Sequence, residues 1–193
     1  MSQTRAERLK QETTTTHEKL DAMIMAAEPF ASLANYARFL RMQHALHRDV
    51  APLYLRDDLA AVFPALADMP RAAAVEQDLR DLGQASPDYT QAPVAGMLTL
   101  PQALGWLYVV EGSNLGAAFL FKAAKRMGLN ESHGARHLAE APEGRAAHWR
   151  AFKDALNAAD LDEREEQAMI EGARMAFDRV RVLAASHLAA QAA

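Results

Sequence analysis

The chain has no cysteine, which excludes disulfides, thiolate-held metals and a cysteine nucleophile. Proline and glycine are scarce, eight and nine among 193 residues, and mostly punctuate. Neither sign of charge dominates: the formal net charge of −4 gives no support to a nucleic-acid partner. No apolar run reaches membrane-spanning length free of charge, since the longest meets Glu111 and Lys122. The opening MSQTRAERLKQETTTT has no apolar signal core. These absences lead us to expect a cytoplasmic protein without a membrane association, and a monomer or weak dimer. Repeats and low-complexity linkers are also missing.

What is present is a chain half hydrophobic and rich in alanine, long enough for one sizeable core. We expect an all-α, multihelical single domain over residues 1–193. Apolar periodicity with caps and breakers predicts helices over 4–26, 32–49, 71–82, 99–127, 143–158 and 162–188. A short helical region is expected over 57–69, a loop over 84–98 and a brief connection over 133–138. Six or seven helices and no strand follow. Four consecutive threonines, Thr13 to Thr16, sit inside the first helix although β-branching disfavours them there, a hint of tertiary or functional demand.

The central stretch, Leu104 to Phe121, carries Gly105, Gly112 and Gly116 inside a helical pattern. Each glycine costs a helix about 1 kcal/mol relative to alanine. Gly112 and Gly116 share one face, which lets another helix or a flat ligand approach the backbone. Ser113 and Asn114 put polar groups beside that face. Tyr108 lies one turn before Gly112, where its hydroxyl can reach an anion or simply be satisfied in a core. Lys10 and His17 are seven residues apart on one stripe, about 10 Å along the helix axis. That offset matches the separation of a porphyrin iron from its propionates, although a solvated lysine is equally compatible with it. His44, His133, His148 and His187 read as surface or core residues. No HExxH, no GxxxxGK loop, no nucleophile elbow around Ser113 and no paired Glu-x-x-His of a diiron bundle occurs.

The segments Leu9-Lys-Gln-Glu-Thr-Thr-Thr-Thr-His17-Glu-Lys-Leu-Asp21 and Tyr108-Val-Val-Glu-Gly-Ser-Asn-Leu-Gly116 together resemble the bacterial biliverdin-producing heme oxygenases. Phe39-Leu-Arg-Met-Gln43 and Gly134-Ala-Arg-His-Leu138 support the likeness. The resemblance implies heme b as both cofactor and substrate, O2 as co-substrate, and biliverdin, CO and ferrous iron as products. It implies His17 as the proximal metal ligand and Gly112, Ser113 and Gly116 on the helix over the opposite face. By the same resemblance Gln43, His47 and Asp21, joined by Arg71, form a proton relay. Lys10 and Tyr108 match the propionate anchors of relatives that cleave at the α-meso carbon, so biliverdin IXα is expected. Lys153 is a further propionate contact. Ala117-Ala118 departs from the family's frequent second glycine. With no flavin or iron–sulfur motif in the chain, electrons are expected from a separate donor such as a ferredoxin or flavodoxin and its reductase. Iron acquisition and bilin chromophore supply both fit this output. A non-catalytic heme carrier or sensor of the same fold is the alternative, and a relative acting on another small molecule a third.

Overall fold

Caps written into the sequence decide where the helices start. In the computed structural model, which describes residues 3–140 and 143–189, Thr4 accepts from the Glu7 amide and Glu7 accepts from the Thr4 amide. That reciprocal pair opens α1, Arg5–Ala26. Ser32 opens α2, Leu33–Val50, by accepting from the Asn35 amide at 3.1 Å. After α3, Asp57–Val62, and α4, Ala72–Asp81, Thr99 and Gln102 cap the long α5, Leu100–Arg126, with Pro101 in its first turn. Next come α6, Arg145–Ala158, and α7, Glu163–Leu188, the latter capped by Asp162. Short 3-10 turns cover Ala51–Leu55, Leu66–Asp68, Val94–Met97 and Arg136–Leu138. Among the described residues there is no strand, only isolated bridges within 130–134. Residues 1–2, 141–142 and 190–193 of the expected domain lie outside the described residues.

Two expectations are refined. The 57–69 region divides at Phe63 because Pro64 has no amide hydrogen to continue a helix, and the 84–98 loop contains one 3-10 turn. The threonine run stays helical: the Thr13 and Thr14 hydroxyls donate to the carbonyls of Leu9 and Lys10, at 2.7 and 2.6 Å.

α5 and α7 form the central pair, and they cross with backbone against backbone. A Cβ on Gly105 would stand 2.0 Å from the Met169 carbonyl oxygen, and one on Gly172 would stand 2.2 Å from that of Gln102. α1 and α2 pack on α7, α6 packs on α5 and α1, and α4 packs on α2. Trp106, Tyr36, Phe39 and Phe152 are fully buried at these junctions, each contributing about 2–3 kcal/mol of burial. α5 is long and apolar enough to cross a membrane, but half of that window is buried inside the fold. Asp49, fully buried on α2, accepts from Arg179 Nε of α7 at 2.7 Å and ties those helices. Gly134 adopts φ +75°, so the turn after α5 doubles back. Its amide donates to Asp81 and its carbonyl accepts from the Tyr36 hydroxyl, which brings residues 136–138 against α4.

Candidate functional site

One stripe of α5 is covered at its N-terminal end by α6 and opens to solvent further along. Tyr108, Gly112, Leu115, Gly116 and Phe119 recur at the three- and four-residue spacing of a single helix face. Leu115 is 43 % exposed and Phe119 61 %, large apolar groups left open to solvent. A Cβ on Gly116 would meet nothing within 4 Å. Beside Gly112 stands the Trp149 ring of α6, whose nearest carbon would be 3.2 Å from an added Cβ. Stacking on Phe152, with ring centroids 5.4 Å apart, fixes that indole, and Tyr108 packs against it at 5.3 Å. The helix-packing reading of the glycines therefore holds for Gly105 and, through the Trp149 ring of α6, for Gly112, while Gly116 is open.

α1 also packs on α7 and α6, the two helices on which α5 rests, and makes little direct contact with α5. Lys10 and His17 are exposed on α1. His17 Nδ1 lies 3.3 Å from Asp21 Oδ2, and the ring stands edge-on to Phe177 at 6.0 Å. Among the described residues this leaves Nε2 without a protein partner. Lys153, half-buried on α6, faces α1: after the hydrogen bonds from Thr4, its charge helps hold the Glu7 carboxyl below its ordinary pKa.

A second feature lies on the other side of α5, a polar cavity of about 50 Å³ lined by Gln43, His47, Arg71, Ser113, Asn114 and His137. Gln43, His47 and Arg71, grouped on the resemblance alone, do come together here. Asp21 does not join them. It stands on α1 paired with His17, because one helical turn separates the two. Ser113 turns its hydroxyl back onto the Val110 carbonyl at 2.6 Å.

His137 and Asp78 went unassigned in the sequence. The fully buried Asp78 accepts from His137 Nδ1 at 2.7 Å, from the His137 amide at 3.0 Å and from the Arg136 amide at 3.0 Å. A carboxylate only accepts, so Nδ1 carries the proton. Burial keeps the ring below its ordinary pKa despite Asp78, so the neutral ring presents Nε2 as an acceptor, and that atom is buried without a protein partner. Arg71 donates to the carbonyls of His137 and Ala139, at 2.6 and 3.2 Å. Burial, then the neighbouring His137 and Arg71, push His47 down to about 3, and its Nδ1 is also unpartnered. Unpartnered buried nitrogens around a polar cavity are the setting in which ordered water is held.

The sign of the His47 shift yields a stability prediction. Its folded pKa lies below the unfolded value of about 6.5, so the unfolded chain binds the extra proton between the two. Stability must fall as pH drops from about 6.5, by at most about 1.4 kcal/mol per pH unit for this group. We expect His47→Gln to flatten the acid side of a urea-midpoint-versus-pH curve. An unchanged slope would refute the assignment.

An exposed apolar stripe around Gly116, an exposed imidazole at His17 and a polar cavity beside α5 are the kinds of group that a flat, metal-bearing ligand engages. Comparison with known proteins makes this specific: residues 3–185 match the heme oxygenase family model, and the chain belongs to the heme oxygenase family, an enzyme family that binds heme. It is 45 % identical over 175 residues to heme oxygenase PigA of Pseudomonas aeruginosa, covering 91 % of this chain and 88 % of that one. The NO- and CO-bound heme oxygenase of Neisseria meningitidis superposes with a TM-score of 0.92 at 43 % identity, covering 99 % of this chain and 96 % of the other. A Leptospira interrogans heme oxygenase, 20 % identical over 95 % of this chain and 100 % of its own, shares the fold at a TM-score of 0.77.

The residues present fit heme: Gly116 has space where a side chain would stand, and His17 of α1 offers an unengaged ring nitrogen.

Proposed function

We propose that this chain, as one domain over residues 1–193, opens heme b at the α-meso carbon to biliverdin IXα, with release of CO and ferrous iron. The observation that carries this reading is the open space at Gly116 on α5 together with the exposed, unengaged imidazole of His17 on α1. Bound heme supplies both the metal that activates O2 and the ring that is cut. His17 holds the metal through Nε2, and Asp21, at Nδ1, orients the imidazole. Gly116 lets the α5 backbone approach the macrocycle where a side chain would hold it away, and Gly112 makes room for the Trp149 ring beside it. Lys10, Tyr108 and Lys153 take the propionate edge, Lys10 and Lys153 by charge and Tyr108 by its hydroxyl. Gln43, His47 and Arg71 hold water in the cavity behind α5 and supply protons. Electrons come from a ferredoxin or flavodoxin with its reductase. The setting is cytoplasmic, and the output serves iron acquisition or bilin chromophore supply.

Regiochemistry follows from which edge of the ring the anchors hold. Chromatography of the product beside isomer standards should give a single IXα peak. Removing both anchors, in Lys10→Asn with Tyr108→Phe, should mix the isomers while hemin still binds. A wild-type product dominated by the δ or β isomer would refute the anchoring assignment.

A further inference from the structure

α6 grips α5 through a charged chain as well as through Trp149. His148 places Nε2 3.2 Å from Glu111 Oε2 and Nδ1 3.0 Å from Glu143 Oε1. Ionised carboxylates only accept, so both bonds hold together only when both ring nitrogens are protonated. The Glu111 bond, joined by that of Glu143, raises the His148 pKa against its burial. Glu111 itself is 2 % exposed. It also accepts from the Tyr54 hydroxyl at 2.6 Å and from Asn114 Nδ2 at 3.1 Å. An acceptor-only neighbour dictates which end of the Asn114 amide faces it. The NH2 turns to Glu111, and Oδ1 becomes the end available to the cavity that Asn114 lines. Arg145 fixes the backbone there by donating to the Asn114 carbonyl at 2.9 Å. Two other charged groups act on this chain: Arg71, on Glu143 and Arg145, and Glu140, on Arg145.

We propose that Glu111 is a positioning residue that sets the hydrogen-bond polarity of the cavity through Asn114, and that His148, clamped between Glu111 and Glu143, holds it in place. Asp78 does the same for His137 from the other side. The cavity then presents two fixed acceptors, Asn114 Oδ1 and His137 Nε2, together with donors on Arg71 and Gln43, a set that suits water, which donates and accepts. The assignment rests on reading this cavity as part of the heme site, but its geometry can be tested without heme.

Side-chain 15N NMR of the full heme-free chain decides the first part. Both His148 nitrogens should carry protons at pH 7, and Glu111→Gln should lower the His148 midpoint by about one pH unit. The Asn114 side-chain amide should exchange slowly in the wild type and rapidly in Glu111→Gln. In the ferric hemin complex, the alkaline midpoint of the visible spectrum should shift in Glu111→Gln. Asn114→Leu should shift it equally and the double variant no further, because one residue acts through the other. A neutral His148 at pH 7, unchanged Asn114 exchange or additive spectral shifts would each overturn the proposal. Failure of the wild type to take up hemin would instead refute the proposed function and leave the heme-free arm to decide this one.

Discussion

Replacing His17 by alanine is expected to abolish the coordinated Soret band of the hemin complex and to lower biliverdin formation by at least about 100-fold, while leaving the apoprotein intact. The two halves of this result have separate causes. His17 is more than half exposed, and its contacts are the similarly exposed Asp21 and an edge-on approach to Phe177. Losing them costs no more than about 0.5 kcal/mol, a shift of about 1–2 °C in melting temperature for a chain of this size. The functional loss is large because outer-sphere partners of a metal ligand already carry about 10–100-fold, and the ligand itself carries more. Asp21→Asn should fall in that outer range, since Nδ1 keeps an acceptor but loses a charge. Hemin titration, melting curves and product chromatography on the three proteins test the set. A normal Soret band in His17→Ala would place the metal elsewhere.

Helix positions are legible in the sequence because their causes are local. Thr4 with Glu7, Thr99 with Gln102 and Asp162 with Glu165 are caps within four residues of one another, and the structure uses all three. The open wall is half legible. The spacing of Gly112 and Gly116 shows a bare helix face, but whether a face meets a helix or a gap depends on elements far away in the chain. The polar cavity is the least legible part. His137 and Asp78 are 59 residues apart, and His148 meets Glu111 across 37. Their partners arrive from different helices, and no local pattern marks an aspartate or glutamate as buried. Resemblance supplied Gln43, His47 and Arg71, while the carboxylates that orient such groups needed the fold. The misplacement of Asp21 has the same origin: one turn after His17 it is bound to serve its own helix first.

Glycines of the α5–α7 pair should split into opposite responses to the same substitution. Gly172→Ala is expected to cost at least about 2–3 kcal/mol, because the added carbon would stand 2.2 Å from the Gln102 carbonyl oxygen and 2.6 Å from its Cα. Those are backbone atoms in the first turn of α5, so relief requires shifting the α5–α7 crossing itself. Gly105→Ala meets the reverse face of that crossing, at 2.0 Å from the Met169 carbonyl oxygen, and should behave alike. Against a typical total stability of about 5–15 kcal/mol, either change consumes a large share. Gly116→Ala should do the opposite. Nothing lies within 4 Å of its added carbon, so the helix gains propensity, up to about 1 kcal/mol, and the apoprotein melts higher. Its cost appears with the ligand: the methyl group stands on the wall the macrocycle approaches, so hemin affinity and turnover should drop as stability rises. Urea melts and hemin titrations of the three variants separate structural from functional glycine. A Gly116→Ala variant with undiminished hemin binding would mean that this face of α5 is not the wall of the site.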